Sequence, residues 1–373
     1  MKVRISQRDL LIAIQQVHGV VEKRNTMPIL THLLMDAKDG KISLFATDLE
    51  VGIQGDYVAE VIEQGTITIS ARKLHEIVRQ FSEGYIDIAS QKNYWVGLES
   101  GKSLFRIVGL PPEEFPTPPS LDIKTSISID PVLFNDLIRR TLIATGENDP
   151  RYILNGMMIQ LEKKSKENDI IRLVATDGNR LAIAEGPITK SVVEEEISVI
   201  VPKKAIMEIK RSLDEGSGKG CPELFIGKNQ MVYRWGSFVL TTRLMEGEFP
   251  DYKQAIPMGN DKIVRVKKDA LEGGLRRVSI LAREKTSAVR FSLEEGRILL
   301  SASNPEMGEA NEEILTSFEG EGFTTGFNAR YLLDALSVLN HKEAVLEFKN
   351  DLSPCLLKEE SEGFLSVIMP MRV

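Results

Sequence analysis

The residues best equipped for chemistry in this sequence are an acidic pair, Asp48 and Glu50, a glycine-rich stretch GSGKGC at 216–221, four histidines and two cysteines. Two carboxylates at alternate positions could divide acid and base work between them. At the end of a strand that runs into a turn, such carboxylates more often accept from backbone amides, and Asp48 is read that way. GSGKGC resembles a phosphate cradle, but the GxxxxGK[ST] frame is missing: Gly220 stands where a magnesium-binding hydroxyl is needed and the leading glycine is absent, so the stretch reads as a solvated turn. His18, His32, His75 and His341 have no HExxH or HxH spacing, and His18 and His75 fall at or within helices, partly in the core or in solvent. Cys221 and Cys355 are too far apart in sequence to suggest a disulfide framework or a zinc site. Trp95 and Trp235 read as strand packing residues rather than base-stacking ones. Nucleophile, base and metal ligands do not converge anywhere, so no catalytic residue, cofactor or metal is expected.

The elements around these residues repeat. Each third of the chain opens with an alternating strand running into an amphipathic helix: KVRISQRDLLIAIQQV (2–17), TSISIDPVLFNDLIRRTLIAT (125–145) and DKIVRVKKDALEGGLRRVSIL (261–281). Each then shows a strand ending in an acidic or amide turn, at Asp48, Asp177 and Asn304. A second helix follows: ARKLHEIVRQF (71–81), PKKAIMEIKRSL (202–213) and NARYLLDALSVL (328–339). EEFPTPP (113–119) and GEFPDYKQAIP (247–257) close the first two copies, and SVIMPMRV (366–373) stands in the same place in the third. A repeat of this kind decides the fold. The expectation is α+β, as three two-layer domains over 1–120, 121–257 and 258–373.

Composition narrows the function. The chain has 373 residues, 42% hydrophobic and 27% charged, which is ordinary for globular domains. MKVRISQRDLL lacks a long apolar segment and no apolar run of about 18 residues occurs, so secretion and membrane spanning are not expected and the cytoplasm is. Net charge is −7, yet the six helix stretches carry about +8 and leave about −15 for the rest. Lys203, Lys204, Lys210 and Arg211 dominate one helix, and Arg72, Lys73 and Arg79 another. With the helices on one side, a polyanion would meet a basic face while the strands stayed acidic, and contact to phosphate would be independent of sequence. A modest basic face gives weak, salt-sensitive attachment, for which encirclement by a chain of repeats is a remedy. The apolar tail is unusual for a chain end and reads as strand core, as a surface that partners cover, or as both.

The order MPIL (27–30), TDLE (47–50), RYILNGMM (151–158), VATDGNRLA (174–182), VPKKAI (201–206), GEFPDY (247–252) and VIMPMR (367–372) closely resembles the bacterial sliding clamps, beta subunits of the replicative DNA polymerase. The resemblance runs end to end. It implies three similar domains per subunit and a homodimer joined head to tail into a ring on double-stranded DNA, helices inside and sheets outside. It also implies an apolar groove that takes linear motifs from the polymerase III alpha subunit, other polymerases, the clamp loader and repair proteins. Carried over residue by residue, that groove uses Leu154, Thr176, Gly178, Asn179, Arg180, Leu181, Pro250, Val367, Ile368, Met369, Pro370, Met371 and Arg372. Gln254 and Ala255 stand at its rim, where the family often has a basic and an aliphatic residue. Arg24, Arg72, Lys73, Arg151, Lys203, Lys204, Lys210 and Arg211 are the implied DNA contacts, and Phe105 against Ile280 and Leu281 of the next subunit the implied ring contact. The competing reading is an open, monomeric DNA-binding adaptor on the same triple repeat.

Overall fold

A computed structural model describes residues 1–21, 27–117, 123–163, 169–192, 196–283, 286–359 and 363–372. The six predicted helices are all present: α1 (Gln7–His18), α2 (Ala71–Val78), α3 (Pro131–Leu142), α4 (Lys203–Glu215), α5 (Lys268–Val278) and α6 (Ala329–Ser337). Their starts follow from the sequence. Ser6 caps α1 by accepting from the Asp9 amide at 3.0 Å, and Asn328 caps α6 by accepting from the Arg330 amide at 2.9 Å. Helix α2 ends at Val78, three residues before the periodicity runs out, and α5 gives way at Ser279 to a single tight turn.

The chain divides into two compact units: Met1–Val132 with Ile188–Glu194 and Lys204–Leu244, and Leu133–Pro187 with Glu195–Lys203 and Met245–Val373. The first unit holds two sheets. One has five strands in the order β5 (Glu60–Glu63), β1 (Lys2–Ser6), β7 (Tyr85–Ser90), β8 (Trp95–Ser100), β9 (Ser103–Val108). The other has nine: β14 (Lys190–Val192), β10 (Ile123–Ser128), β16 (Glu223–Gly227), β17 (Gln230–Trp235), β18 (Phe238–Arg243), β4 (Val51–Val58), β3 (Lys41–Thr47), β2 (His32–Lys38), β6 (Gly65–Ser70). Helix α1 buries Leu10, Ala13, Ile14 and Val17, packing on β3 and β4. Helix α4 buries Ala205, Ile206, Ile209 and Leu213, and its Ser212 shares a 3.0 Å hydrogen bond with the buried Tyr233 hydroxyl.

The second unit is built in the same way. Its eight-stranded sheet runs β15 (Ile197–Pro202), β11 (Gly156–Lys163), β12 (Asp169–Thr176), β13 (Arg180–Pro187), β26 (Phe364–Ile368), β25 (Cys355–Glu359), β24 (Glu343–Phe348), β19 (Lys262–Lys267). Its four-stranded sheet runs β22 (Gly308–Leu315), β21 (Arg297–Asn304), β20 (Ala288–Glu294), β23 (Phe323–Asn328). Strands read from different thirds of the sequence therefore share one hydrogen-bonded ladder: β18 pairs with β4, and β13 pairs with β26. In each case a strand near the end of one third closes the sheet of the preceding one.

Beneath α3 lies a buried charge cluster. Arg140 is 1% exposed; it pairs with Asp136 at 2.6 Å and with Glu359 at 3.2 Å, and its guanidinium lies over the Phe364 ring. Glu359 also accepts from the Asn340 and His341 amides at 2.9 Å. The cluster ties α3, β25 and the turn after α6 together. Removing the cation leaves the Glu359 carboxylate unpaired in a dry site, so Arg140→Ala should lower stability by roughly 3–5 kcal/mol in urea unfolding, and much more than Arg139→Ala, whose side chain pairs with Asp136 at the partly exposed edge of the cluster.

Candidate functional site

Three segments of the second unit meet at the start of β13. The first is the turn Thr176–Asp177–Gly178–Asn179. One Asp177 carboxylate oxygen accepts from the amides of Asn179 (2.9 Å) and Arg180 (3.0 Å), and the other from the Arg180 Nε at 3.0 Å. The Thr176 hydroxyl accepts from the Gly178 amide at 3.1 Å and donates to the Arg180 carbonyl at 2.7 Å. Gly178 is in the left-handed region at φ +85°, and the Arg151 guanidinium lies where its Cβ would be. The turn is held by its own side chains before anything packs on it.

The second segment is the tail. Strand β26 pairs with β13 in the register Arg180 to Ile368 and Leu181 to Val367. The chain then leaves the sheet, with the Met369 amide donating to the Asn179 carbonyl at 2.9 Å and the Met371 amide to the Gly326 carbonyl of β23 at 2.8 Å. The third segment is the link after Met245. Asp251 caps its tight turn Tyr252–Ala255, and the Tyr252 hydroxyl donates to the Gln160 Oε1 at 3.2 Å. Phe249, Tyr252, Ala255 and Ile256 pack on Met158, Val174, Leu181, Ile183, Leu356 and Val367.

Of the carried-over groove residues, Leu181, Val367 and Ala255 share this apolar cluster, while Thr176, Asn179, Arg180 and Met369 are hydrogen-bonded around the adjoining turn. Val367 belongs to this cluster, whereas Ile368 is fully buried outside it, as strand alternation requires. Met369, Pro370 and Met371 are half-buried and Arg372 is exposed. Leu154 is buried, and Pro250 and Gln254 are exposed, with Gln254 donating to Asp251 at 3.0 Å. Met371 and Arg372 also wall a cavity of about 400 Å³ that contains Arg283, Arg290, Ser301 and Glu309, so the tail has a polar, arginine-rich side. Sequence reasoning missed Tyr331 and Asp334. Arg180 stacks over the Tyr331 ring at 4.4 Å and pairs with Asp334 at 2.6 Å. Their only signal was a spacing of three on the face of α6.

The basic residues are more heavily engaged than a bare phosphate-binding patch would be. Arg72 and Lys73 both pair with Glu76, at 2.8 and 2.9 Å, and those two cations hold its carboxyl down at about 2. Lys210 pairs with Asp214 at 2.7 Å, and Lys203 lies 3.6 Å from Glu147. Lys204 bonds Asp48 and the Val20 carbonyl, while Arg211 donates to the Gln15 and Gln16 carbonyls and pairs with Glu208 at 2.5 Å. Arg151 sits at the Gly178 turn, pairing with Asp149 and donating to the Asp177 carbonyl at 2.9 Å. Arg24 lies outside the described residues. Asp48 does what its position suggested: it accepts from the Glu50 and Val51 amides at 2.9 and 2.7 Å.

Two of the sheet-edge strands have exposed apolar side chains on or beside them. Strand β9 ends the five-stranded sheet with Leu104, Phe105 (41% exposed) and Val108 facing outward, and β22 ends the four-stranded sheet beside Ile280 (72% exposed). Such an edge is an invitation to pair. Among the described residues no group of His, Cys, Asp and Glu could hold a metal ion, and no helix is long and apolar enough to cross a membrane.

Comparison with known proteins adds the following. Models of the DNA polymerase III beta subunit match in chain order: the N-terminal domain over residues 1–119, the central domain over 128–251 and the C-terminal domain over 253–372. A beta sliding clamp of Caulobacter vibrioides is 36% identical, and that of Escherichia coli K12 33%, each over 100% of both chains. The crystal structure of a DNA polymerase sliding clamp from Pseudomonas aeruginosa superposes with a TM-score of 0.93 at 34% identity, and a clamp from Bartonella birtlesii bound to griselimycin with 0.95 at 30%, both covering 100% of each chain.

The turn makes a separate claim on stability. Asp177→Ala removes the acceptor of two amides and a partner of Arg180, and should cost about 2 kcal/mol in urea unfolding. Asp177→Asn keeps one acceptor oxygen and should recover part of that loss.

Proposed function

Because this chain belongs to the DNA polymerase III beta subunit family, the beta sliding clamps, along its whole length, we propose that two copies close head to tail around duplex DNA and tether the replicative polymerase through the tail groove. The family is a non-catalytic processivity subunit with the three-domain clamp fold, and it implies DNA, polymerase and a second copy as partners. The finer reading divides the chain at 120/121 and 257/258 and places it in the cytoplasm. Its groove partners are the polymerase III alpha subunit, the clamp loader, other polymerases and repair proteins.

The observation that carries this is the construction of the groove. An apolar cluster beneath Phe249 and Tyr252 is bordered by a tail whose backbone is tied at Asn179 and Gly326 while Met369 and Met371 stay half-open. Methionine suits a surface that must repack around several peptides. Ring closure would set the β9 edge, with Arg106, Leu104 and Phe105, against the β22 edge of the next copy, where Glu309 and Glu313 supply the opposite charge. Such a heterologous contact closes after two subunits. On the inner face, phosphates would exchange with the side-chain carboxylates that now pair with Arg72, Lys73 and Lys210. Because those pairs already screen the cations, direct attraction to DNA would be weak and encirclement would do the holding.

Protein loaded by a clamp loader and ATP onto nicked circular DNA should stay on the circle and slide off once the DNA is cut; equal loss from both forms would favour the open adaptor. Met371→Ala with Arg372→Ala should abolish polymerase stimulation and leave sedimentation as a dimer unchanged. Retained stimulation would overturn the groove assignment.

A further inference from the structure

The first unit contains a second copy of the groove's framework. Thr47, Asp48, Leu49 and Glu50 form the same turn as Thr176, Asp177, Gly178 and Asn179. The Thr47 hydroxyl accepts from the Leu49 amide at 3.0 Å and donates to the Val51 carbonyl at 2.9 Å, and Asp48 caps the next two amides, bond for bond as in the groove. Strand β18 pairs with β4 as β26 pairs with β13: Thr242 faces Val51 and Thr241 faces Gly52. The chain leaving β18 repeats the tail's first bond, with the Arg243 amide donating to the Glu50 carbonyl at 2.9 Å. The link after the first copy packs Phe115 edge-on to Phe45 at 5.7 Å, and Pro116 follows as Pro250 follows Phe249.

Between these pieces lies a cavity of about 280 Å³ lined by Phe45, Leu49, Gly52, Pro116, Thr241 and Arg243, with Glu50 at its rim. Three substitutions relative to the groove shape it. Gly52 stands where the groove has Leu181, and the Phe45 ring lies 3.0 Å from where its Cβ would be, so the aromatic ring takes the place of that side chain in the floor. Leu49 takes the glycine place of the turn at φ +78°, a strained conformation for a branched side chain, and its side chain is 44% exposed over the cavity. Arg243 stands where the groove has Met369. Neither Arg243 nor Glu50 has an ion-pair partner among the described residues.

We propose that this cavity is a second docking site for a short extended peptide, which seats one aliphatic side chain between Phe45 and Leu49, gives a carboxylate to Arg243 and a cation to Glu50. The charges select this occupant. The groove offers methionine at the matching position, so an acid flanking the anchor is recognised here and not there. The likeness of framework rests on the groove reading, but the cavity, the strained leucine and the unpaired rim charges do not.

The test uses the full chain with carbon-13 labelled leucine and methionine methyls, titrated with the probe acetyl-Ser-Lys-Leu-Asp-Ser-amide. The Leu49 methyl resonances should shift saturably. Gly52→Leu, whose side chain crowds the Phe45 ring, and Arg243→Met, which removes the partner of the peptide carboxylate, should each weaken that response by roughly tenfold. Silence of the Leu49 methyls up to millimolar peptide, or a response unchanged in both variants, overturns the proposal. In the same sample the replicative polymerase should move the Met371 methyl, so a failure of the groove reading registers separately.

Discussion

The pairing of β13 with β26 is the constraint on which the site depends. It joins the two halves of the eight-stranded sheet through β26, and it commits the backbone of 364–368 to hydrogen bonds. Once that ladder is set, the amides of Met369 and Met371 have fixed partners, so the backbone of the tail carries little ordering cost at the moment of binding. The tail is apolar for two reasons at once. Val367 and Ile368 are strand core, and Met369, Pro370 and Met371 are left half-open because strand β26 has ended.

The same device explains why the turn carries an aspartate in both units. A strand that ends in a reversal leaves consecutive amides without ladder partners, and one carboxylate oxygen satisfies two of them. The second oxygen is then free for a cation, which is Lys204 for Asp48 and Arg180 for Asp177. In the third copy Asn304 occupies the position, accepts from the Glu306 amide alone, and has no such cation among the described residues. The carboxylate thus couples turn geometry to tertiary placement only where a groove framework is built around it.

Much of this was legible in the sequence because it is periodic or local. The six helices, the capping role of Asp48 and the packing role of Trp235, whose indole donates to the Gly220 carbonyl at 2.9 Å, follow from spacing and turn chemistry. Which strands share a sheet did not follow. Nothing in FVLTTR or FLSVI says that it pairs with a strand from the preceding third, since β-pairing depends on partners distant in sequence and not on the strand alone. For the same reason Tyr331 and Asp334 escaped notice: their significance lies in Arg180, far away along the chain. The alternation of Val367 and Ile368 was readable in principle, but only once the end of the sheet was known.

Charge shows the sharpest difference between counting and placing. The helices are basic by composition, yet Glu76 sits between Arg72 and Lys73, Asp214 beside Lys210, and Glu208 beside Arg211. Each carboxylate lies three or four residues along the same helix, where it also supports the helix itself by a few tenths of a kcal/mol. A surface of this kind presents exchangeable cations rather than fixed ones. A phosphate that displaces Glu76 gains a cation pair and releases a carboxylate to water, so the net gain per contact is small and nearly the same at every position along a duplex. Weak and uniform contact is what the proposed sliding on DNA would require, and paired charges on these helices would supply it without a high net charge.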